Sequence, residues 1–99
     1  MKLPIQIDKA QIVEFCEKHH IVKLALFGSV LTDAFNDESD VDFLVAFHPD
    51  HIPGLIRLCG MEIELSEIVG RKADMRTKND LSRYFRDEVV KNAVVQYAA

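Results

Sequence analysis

The chain has 99 residues, enough for one domain with a single core but too few for a second lobe, so we expect residues 1–99 to form one domain. Its hydrophobic fraction of 48% and charged fraction of 28% are those of an ordinary globular protein. No apolar run is long enough to span a membrane, and the first ten residues lack the apolar core of a signal peptide, which predicts a cytoplasmic protein. The net charge of −4, without a block of lysines or arginines, argues against direct binding of nucleic acid.

The first elements of the chain are predicted to be a helix and a buried strand. Residues 8–20 form an amphipathic helix with Asp8 as its N-cap. Residues 21–27, "IVKLALF", are short, apolar and β-rich, as expected of a strand buried on both faces. Gly28 and Ser29 end this strand, and a short helical segment and the turn "NDES" follow.

The second strand is predicted over residues 40–47 and alternates in character. One face carries Asp40, Asp42, Leu44 and Ala46, and the other carries Val41, Phe43, Val45 and Phe47. In the alternative interpretation the strand begins later, and both aspartates belong to the preceding polar turn.

The C-terminal half is predicted to be a helix, a short strand and a final helix. The first helix covers residues 55–69 and ends at Gly70, and the third strand covers residues 71–77. The final helix begins at Asn79 or Asp80, with an apolar stripe of Val90, Ala93, Val94 and Tyr97. The whole pattern favours an α/β (α+β) domain with a short mixed sheet and helices packed mainly on one face.

Two further features concern packing. Apolar residues cover well over half of the circumference of helix 55–69, whereas one sheet face uses roughly a third to a half of it. Either the C-terminal helix covers the remainder or a partner protein does, in a hetero- or homo-oligomer. Cys16 and Cys59 lack the spacing of metal ligands and are expected to be reduced and buried.

The aspartates of the second strand suggest a metal site. Residues i and i+2 of a strand lie about 6.5–7 Å apart on one face, and two half-buried carboxylates so placed repel each other. Mg²⁺ would compensate them, since it binds carboxylate oxygens together with substrate phosphates. Asp74, in the third strand, could complete a three-acid cluster and serve as base for an incoming hydroxyl. Its alternative is a surface carboxylate paired with Arg71, Lys72 or Arg76.

Gly28 and Ser29 add a candidate phosphate site. Glycine lets a ligand approach the backbone closely, and Ser29 can offer its hydroxyl and N–H group at the start of the short helical segment. Phosphate site and metal ligands would then lie at neighbouring strand ends, where open sheets bind ligands.

The pattern Gly-Ser, ten residues, Asp-x-Asp resembles the signature of the DNA polymerase β-like nucleotidyltransferases. From about residue 20 to residue 97, the chain looks like a minimal nucleotidyltransferase of the MNT type, whose members are antitoxins beside HEPN-domain toxins. The segments that carry the likeness are "ALFGSVLTDAFNDESDVDFLVAF", "HIPGLIRL…ELSEIVGRKADM" and "DLSRYFRDEVVKNAVVQY".

The resemblance implies an enzyme that transfers a nucleoside monophosphate, AMP from ATP, to a hydroxyl and releases pyrophosphate. Gly28 and Ser29 would contact the terminal phosphates, and Asp40, Asp42 and Asp74 would bind Mg²⁺. The implied acceptor is a tyrosine of a HEPN toxin, neutralised by this AMPylation, by binding, or by both. An antitoxin that is catalytically weak or inactive and acts by binding alone is the alternative function. A third possibility, transfer to a small molecule or an RNA end, is disfavoured by the absence of a substrate domain.

The sequence departs from the family pattern directly after Ser29. Many relatives carry an arginine there, whereas this chain has Val30, and the change removes a phosphate contact. Arg71, Lys72 and Arg76, which flank Asp74, are the basic residues that could replace it.

Overall fold

A mixed β-sheet with helices packed on one face organises the chain. The computed structural model describes residues 3–99. In that range the strands are β1 (Ile21–Phe27), β2 (Val41–Phe47), β3 (Ala73–Arg76) and β4 (Val94–Ala98). The helices are α1 (Lys9–Lys18), α2 (Leu55–Val69) and α3 (Arg86–Asn92), with 3₁₀ helices at Gly28–Leu31 and Lys78–Asp80. None of the helices in residues 3–99 is long and apolar enough to cross a membrane.

The sheet combines antiparallel and parallel pairs. Its strands lie in the order β3-β2-β1-β4. β1 pairs antiparallel with both β2 and β4, whereas β2 and β3 run parallel, joined by α2 as the crossover. This topology brings the start of β2, the start of β3 and the end of β1 to one end of the sheet. The predicted α/β class with a short mixed sheet is confirmed.

The alternation predicted for β2 decides which face of the sheet is the core. Val41, Phe43 and Val45 are buried, whereas Asp42 and Leu44 between them are only partly covered. The buried face packs against α1 and α2 in a single cluster: Ile12, Phe15, Cys16, Ile21, Leu24, Leu26, Val30, Val41, Phe43, Val45, Met61, Leu65, Val69, Ala73 and Met75. The aspartates of β2 and β3 therefore belong to the opposite, open face.

The predicted N-cap of α1, Asp8, and the predicted C-cap of α2, Gly70, are confirmed. The Asp8 side chain accepts hydrogen bonds from the N–H groups of Ala10 (3.0 Å) and Gln11 (3.2 Å), as an N-cap does. Gly70 closes α2 with φ of +72°, the left-handed conformation that favours glycine at a C-cap.

The prediction of one long C-terminal helix is wrong. Asp80 does form a capping box, but with Thr77 and around the 3₁₀ helix Lys78–Asp80. Helix α3 ends at Asn92, and Val94–Ala98 forms β4 against β1. Two physical causes favour the strand: its β-branched and aromatic residues suit an extended chain, and β1 would otherwise have unpaired backbone groups along one edge.

The outer surface of α2 is not covered by the C-terminal segment. Ile56 is 90% exposed, Leu55 77% and Ile63 64%, and Ile56 and Ile63 lie on the side of the helix opposite its buried Met61 and Leu65. The interpretation that the tail covers the apolar arc is thus wrong, because β4 lies at the far edge of the sheet beside β1.

The two cysteines differ in environment. Cys16 is buried in the core, and burial raises the pKa of its thiol to about 12, so that it stays protonated. The expectation that Cys59 is also buried is wrong, since it is exposed on α2.

Candidate functional site

Parallel pairing of β2 and β3 places two of the predicted acids side by side. In the register of the two strands Asp42 lies opposite Asp74. Their chain neighbours Val41, Phe43, Ala73 and Met75 are buried in the core, so both aspartates project from the open face. The alternation of buried and exposed residues that placed Asp42 on the open face of β2 thus also places Asp74 on the open face of β3.

The electrostatics of Asp42 reflect this crowding. Burial raises the pKa of the Asp42 carboxyl, and the negative charges of Asp74 and, more weakly, Asp40 raise it further. The positive charge of Arg76 opposes the increase. Without a bound cation, ionised Asp42 is therefore held in an unfavourable environment, which a divalent metal would relieve.

Asp40 stands apart from the strand pair. Strand β2 begins at Val41, so Asp40 closes the polar turn, and only Asp42 of the two lies within the strand. The Nζ atom of Lys72 lies 3.7 Å from its Oδ2 atom, with the two side chains 71% and 41% exposed. An ion pair this exposed contributes little, roughly 0–1 kcal/mol, and can readily be exchanged for another partner.

Gly28 and Asp42 fit closely together. Phe27 pairs with Asp42 in the register of β1 and β2, and Gly28 follows with φ of +80°. A Cβ atom at position 28 would lie 2.5 Å from Oδ2 of Asp42, a distance that such atoms essentially never adopt. Glycine is therefore favoured here by the left-handed backbone conformation, and any side chain at this position would displace the Asp42 carboxylate.

Ser29 lies in the 3₁₀ helix that starts at Gly28. Its carbonyl accepts hydrogen bonds from the N–H group and the Oγ1 hydroxyl of Thr32, each at 2.9 Å. Val30, the residue in place of the arginine, is buried in the core and has no part in ligand contacts. The groups of Ser29 that can serve a ligand are therefore its own hydroxyl and N–H, beside the carboxylate of Asp42.

The basic residues near Asp74 differ from one another in what they contact. Arg71 donates hydrogen bonds to the carbonyls of Asn36 (2.5 Å) and Ser39 (2.7 Å), and it stacks over the ring of Phe35. It therefore holds the turn before Asp40, and its Nη2 group is already used for these bonds. Lys72 pairs with Asp40, and Arg76, exposed and near Asp42, remains the candidate for a phosphate.

Two α2 side chains that the sequence did not single out hold β3 in place. Oγ of Ser66 accepts the N–H of Ala73 at 2.8 Å, and Oε2 of Glu62 accepts the N–H of Met75 at 2.7 Å. These bonds occupy the outer edge of β3 on both sides of Asp74 and fix its position. No signal in the sequence could have revealed them, because they depend on how α2 packs on the sheet.

The donor set of this site suits a hard divalent cation. In residues 3–99 no group of three or more His, Cys, Asp or Glu side chains has the geometry of a metal site. The chemistry nevertheless fits, because Asp42 and Asp74 offer carboxylate oxygens from adjacent strand positions and Asp40 is held only by an exposed ion pair. Mg²⁺ takes one or two such carboxylates and completes its shell with water and phosphate oxygens.

Comparison with known proteins identifies the family of this chain. Residues 9–96 match the nucleotidyltransferase domain family, and the chain belongs to that family. It is 29% identical over 86 residues to a protein of Methanocaldococcus jannaschii named as a protein adenylyltransferase, with 87% of this chain and 90% of that protein covered.

Solved structures place it among the minimal members of the family. A structure described as a minimal nucleotidyltransferase matches with a TM-score of 0.70 and 26% identity, over 87% of this chain and 86% of that one. A toxin–antitoxin crystal structure with AMP-PNP matches with a TM-score of 0.73, over 94% of this chain and 75% of that one. At 16% identity, this second match concerns the fold alone. The chain is thus a minimal, MNT-type nucleotidyltransferase.

Proposed function

We propose that the chain is a Mg²⁺-dependent protein adenylyltransferase that acts as an antitoxin in the cytoplasm, transferring AMP from ATP to a tyrosine hydroxyl of a HEPN-type toxin. The observation that carries the proposal is the alignment of Asp42 with Asp74 on the open face, beside Gly28. The raised pKa of Asp42 supports it, since charge strain without a structural purpose is typical of functional sites.

Each residue has a role in this reaction. Gly28 and Ser29 hold the β- and γ-phosphates, and Asp40 and Asp42 hold the metal site. Asp74, which also contributes to the metal site, takes the proton of the attacking hydroxyl. The hydroxyl oxygen then forms a bond to the α-phosphorus, the bond from this phosphorus to the bridging oxygen breaks, and pyrophosphate leaves with the electron pair. Bound Mg²⁺ supplies charge neutralisation at the phosphate oxygens.

The protein acceptor is supported by the shape of the molecule. Helix α2 exposes Leu55, Ile56 and Ile63 on one side, an apolar surface suited to a protein partner. The crystal structure of a toxin–antitoxin complex with AMP-PNP has this fold, which is consistent with a nucleotide and a toxin partner here.

A binding-only antitoxin is the second candidate function. Val30 stands where many relatives carry an arginine and is buried, so one phosphate contact is missing, while Arg71 is bonded to the turn before Asp40. The exposed α2 surface alone would be sufficient for neutralisation by contact.

The intact mass of a co-expressed toxin partner distinguishes the two functions. Under the adenylyltransferase proposal, the partner gains the mass of one or more AMP units with the wild-type chain and none with Asp40→Asn. A matched control, Asp50→Asn in the exposed loop after β2, should leave the adduct unchanged. Neutralisation without any adduct from the wild-type chain would contradict transfer and support binding alone.

A further inference from the structure

A cavity of about 440 Å³ opens beside Gly28, between the end of β1 and helix α3. Phe27 and Leu31 form one wall, and Phe85 and Val89 form the other. Its volume lies within the range of about 300–1,000 Å³ that small-molecule sites occupy. Mostly apolar walls with two aromatic rings suit a flat, weakly polar group.

The cavity exists because α3 stands away from the sheet. None of the residues of Arg86–Asn92 is fully buried, and the Phe85 ring at the start of the helix is 49% exposed. A half-exposed aromatic ring beside an apolar cavity contributes little to packing, but its free face can stack on a ligand. Glu88 and Asn92, one and two turns further along, add polar groups to the rim.

The position of the cavity connects it to the acidic site. Gly28 lines the cavity and lies so near Asp42 that an added Cβ atom would be 2.5 Å from its Oδ2 atom, and Phe27 is the register partner of Asp42. The base of a nucleotide whose phosphates lie at Gly28 and Ser29 can therefore reach this cavity.

We infer that the cavity receives the adenine base of the nucleoside triphosphate, stacked on Phe85 and recognised at its N6/N7 edge by Asn92. This inference rests on the proposed function. The amide of Asn92 can accept a hydrogen bond from the N6 amino group while donating one to N7, whereas guanine presents two acceptors on that edge. Glu88, as an acceptor, likewise favours the amino group of adenine over the carbonyl of guanine.

Titration calorimetry with two probes tests the stacking role. Mg-ATP carries a base and Mg-tripolyphosphate does not. Phe85→Ala should weaken the binding of Mg-ATP about tenfold and leave the binding of Mg-tripolyphosphate unchanged. Phe85→Tyr should restore the affinity for ATP, because it keeps the ring. Tyr84→Ala is the matched control, since Tyr84 is 84% exposed and lies outside the cavity.

The preference between ATP and GTP tests the role of Asn92. The wild-type chain should bind ATP more tightly than GTP, and Asn92→Ala should reduce this ratio, whereas Lys91→Ala should not. An unchanged ratio in Asn92→Ala, or a wild-type preference for GTP, would overturn the assignment of adenine.

The outcomes separate this inference from the proposed function. If the wild-type chain binds neither Mg-ATP nor Mg-tripolyphosphate, the proposed function fails and the base site fails with it. If the wild-type chain binds both and Phe85→Ala changes neither affinity, only the base site is refuted. A higher KM for the protein acceptor in Phe85→Ala, with unchanged ATP affinity, would instead assign the cavity to the acceptor side chain.

Discussion

Asp42 is a carboxylate that the protein alone does not neutralise. It is half-buried, it lies beside Asp74, and its pKa is raised by burial and by neighbouring negative charge. A raised pKa in the folded state means that the ionised group destabilises the fold, and that the destabilisation is relieved as the pH falls through the raised pKa. The residue that is expected to bind metal is therefore also a source of instability when no metal is bound.

Asp42→Asn should raise the melting temperature of the metal-free protein at pH 7, because the amide has no charge to desolvate. Wild type should approach the variant in stability as the pH is lowered towards the raised pKa of Asp42. Adding Mg²⁺ at about 100 times its Kd should stabilise wild type by about 2.7 kcal/mol and the variant much less. Thermal unfolding with and without Mg²⁺ measures both effects. A variant less stable than wild type without metal would contradict the prediction.

Gly28→Ala tests the close fit between the glycine and Asp42. We expect a loss of about 1–2 kcal/mol from the left-handed backbone alone, and a further loss of Mg²⁺ affinity because the new Cβ displaces the Asp42 carboxylate. Gly70→Ala is the matched control, since φ there is +72° and no atom lies within 4 Å of the added Cβ. Unfolding curves and Mg²⁺ titrations should show instability in both variants and weakened Mg²⁺ binding only in Gly28→Ala. Equal Mg²⁺ affinities would refute the fit.

At the residue scale, the sequence predicted the positions of Gly28, Asp42 and Asp74, because strand alternation and strand ends are local properties. It did not predict the role of Arg71. Arg71 contacts Asn36 and Ser39, 35 and 32 residues earlier in the chain, and only the folded structure brings them together. The functional roles of the three aspartates stay predictions.

Among the elements, β3 depends most on its neighbour α2. The side chains of Ser66 and Glu62 bind the N–H groups on the outer edge of β3, so this short strand is held on both sides. Bonds of this kind also remove donors that an edge strand would otherwise offer to another chain. Helix α2 thus positions Asp74 through hydrogen bonds to the backbone of its two chain neighbours.

Ser66→Ala should destabilise the protein by about 1–2 kcal/mol, because the N–H of Ala73 loses its partner in a partly buried place. For a domain of this size, each 1 kcal/mol corresponds to a fall in Tm of about 4–8 °C. The loss should occur although alanine is the better helix former. Glu67→Ala, at the next and exposed position of α2, is the control. A Tm for Ser66→Ala equal to that of the control would show that the bond does not stabilise β3.

The C-terminal segment shows where element prediction from sequence reaches its limit. Val90, Ala93, Val94 and Tyr97 fit a helical stripe, yet Val94 and Tyr97 pair with Leu26 and Leu24 of β1 in a strand. A short apolar run is compatible with either period. The segment forms a strand rather than a helix because it pairs with the free edge of β1, and this edge exists only in the assembled sheet.

On the scale of the whole molecule, one side of the sheet is packed by α1 and α2, and the far side of α2 faces outward. Ile56, Leu55 and Ile63 are the most exposed aliphatic residues of α2. They do not contribute to the core, so their replacement should change stability little. Their exposure matters most if a second protein binds there.

Ile56→Asp should weaken the complex with the toxin partner roughly tenfold or more, as expected for a residue at the centre of an interface. The free energy of unfolding of the isolated chain should change by no more than about 0.5 kcal/mol. Affinity measurement with the co-expressed partner, and an unfolding curve of the variant alone, check both statements. Tyr84→Ser, at a similarly exposed residue outside α2, is the control. Unaltered affinity in Ile56→Asp would exclude this surface as the interface.

The close fit of Gly28 and Asp42 also restricts which substitutions this chain can accept during evolution. A descendant that abandons catalysis and keeps only recognition can acquire a side chain at position 28 only if the Asp42 carboxylate moves from its present position or is lost. Loss of the Asp42 carboxylate removes this restriction, and position 28 is then limited only by its backbone conformation. Substitutions at positions 28 and 42 are therefore coupled, and chains that no longer catalyse transfer are expected to change at both positions.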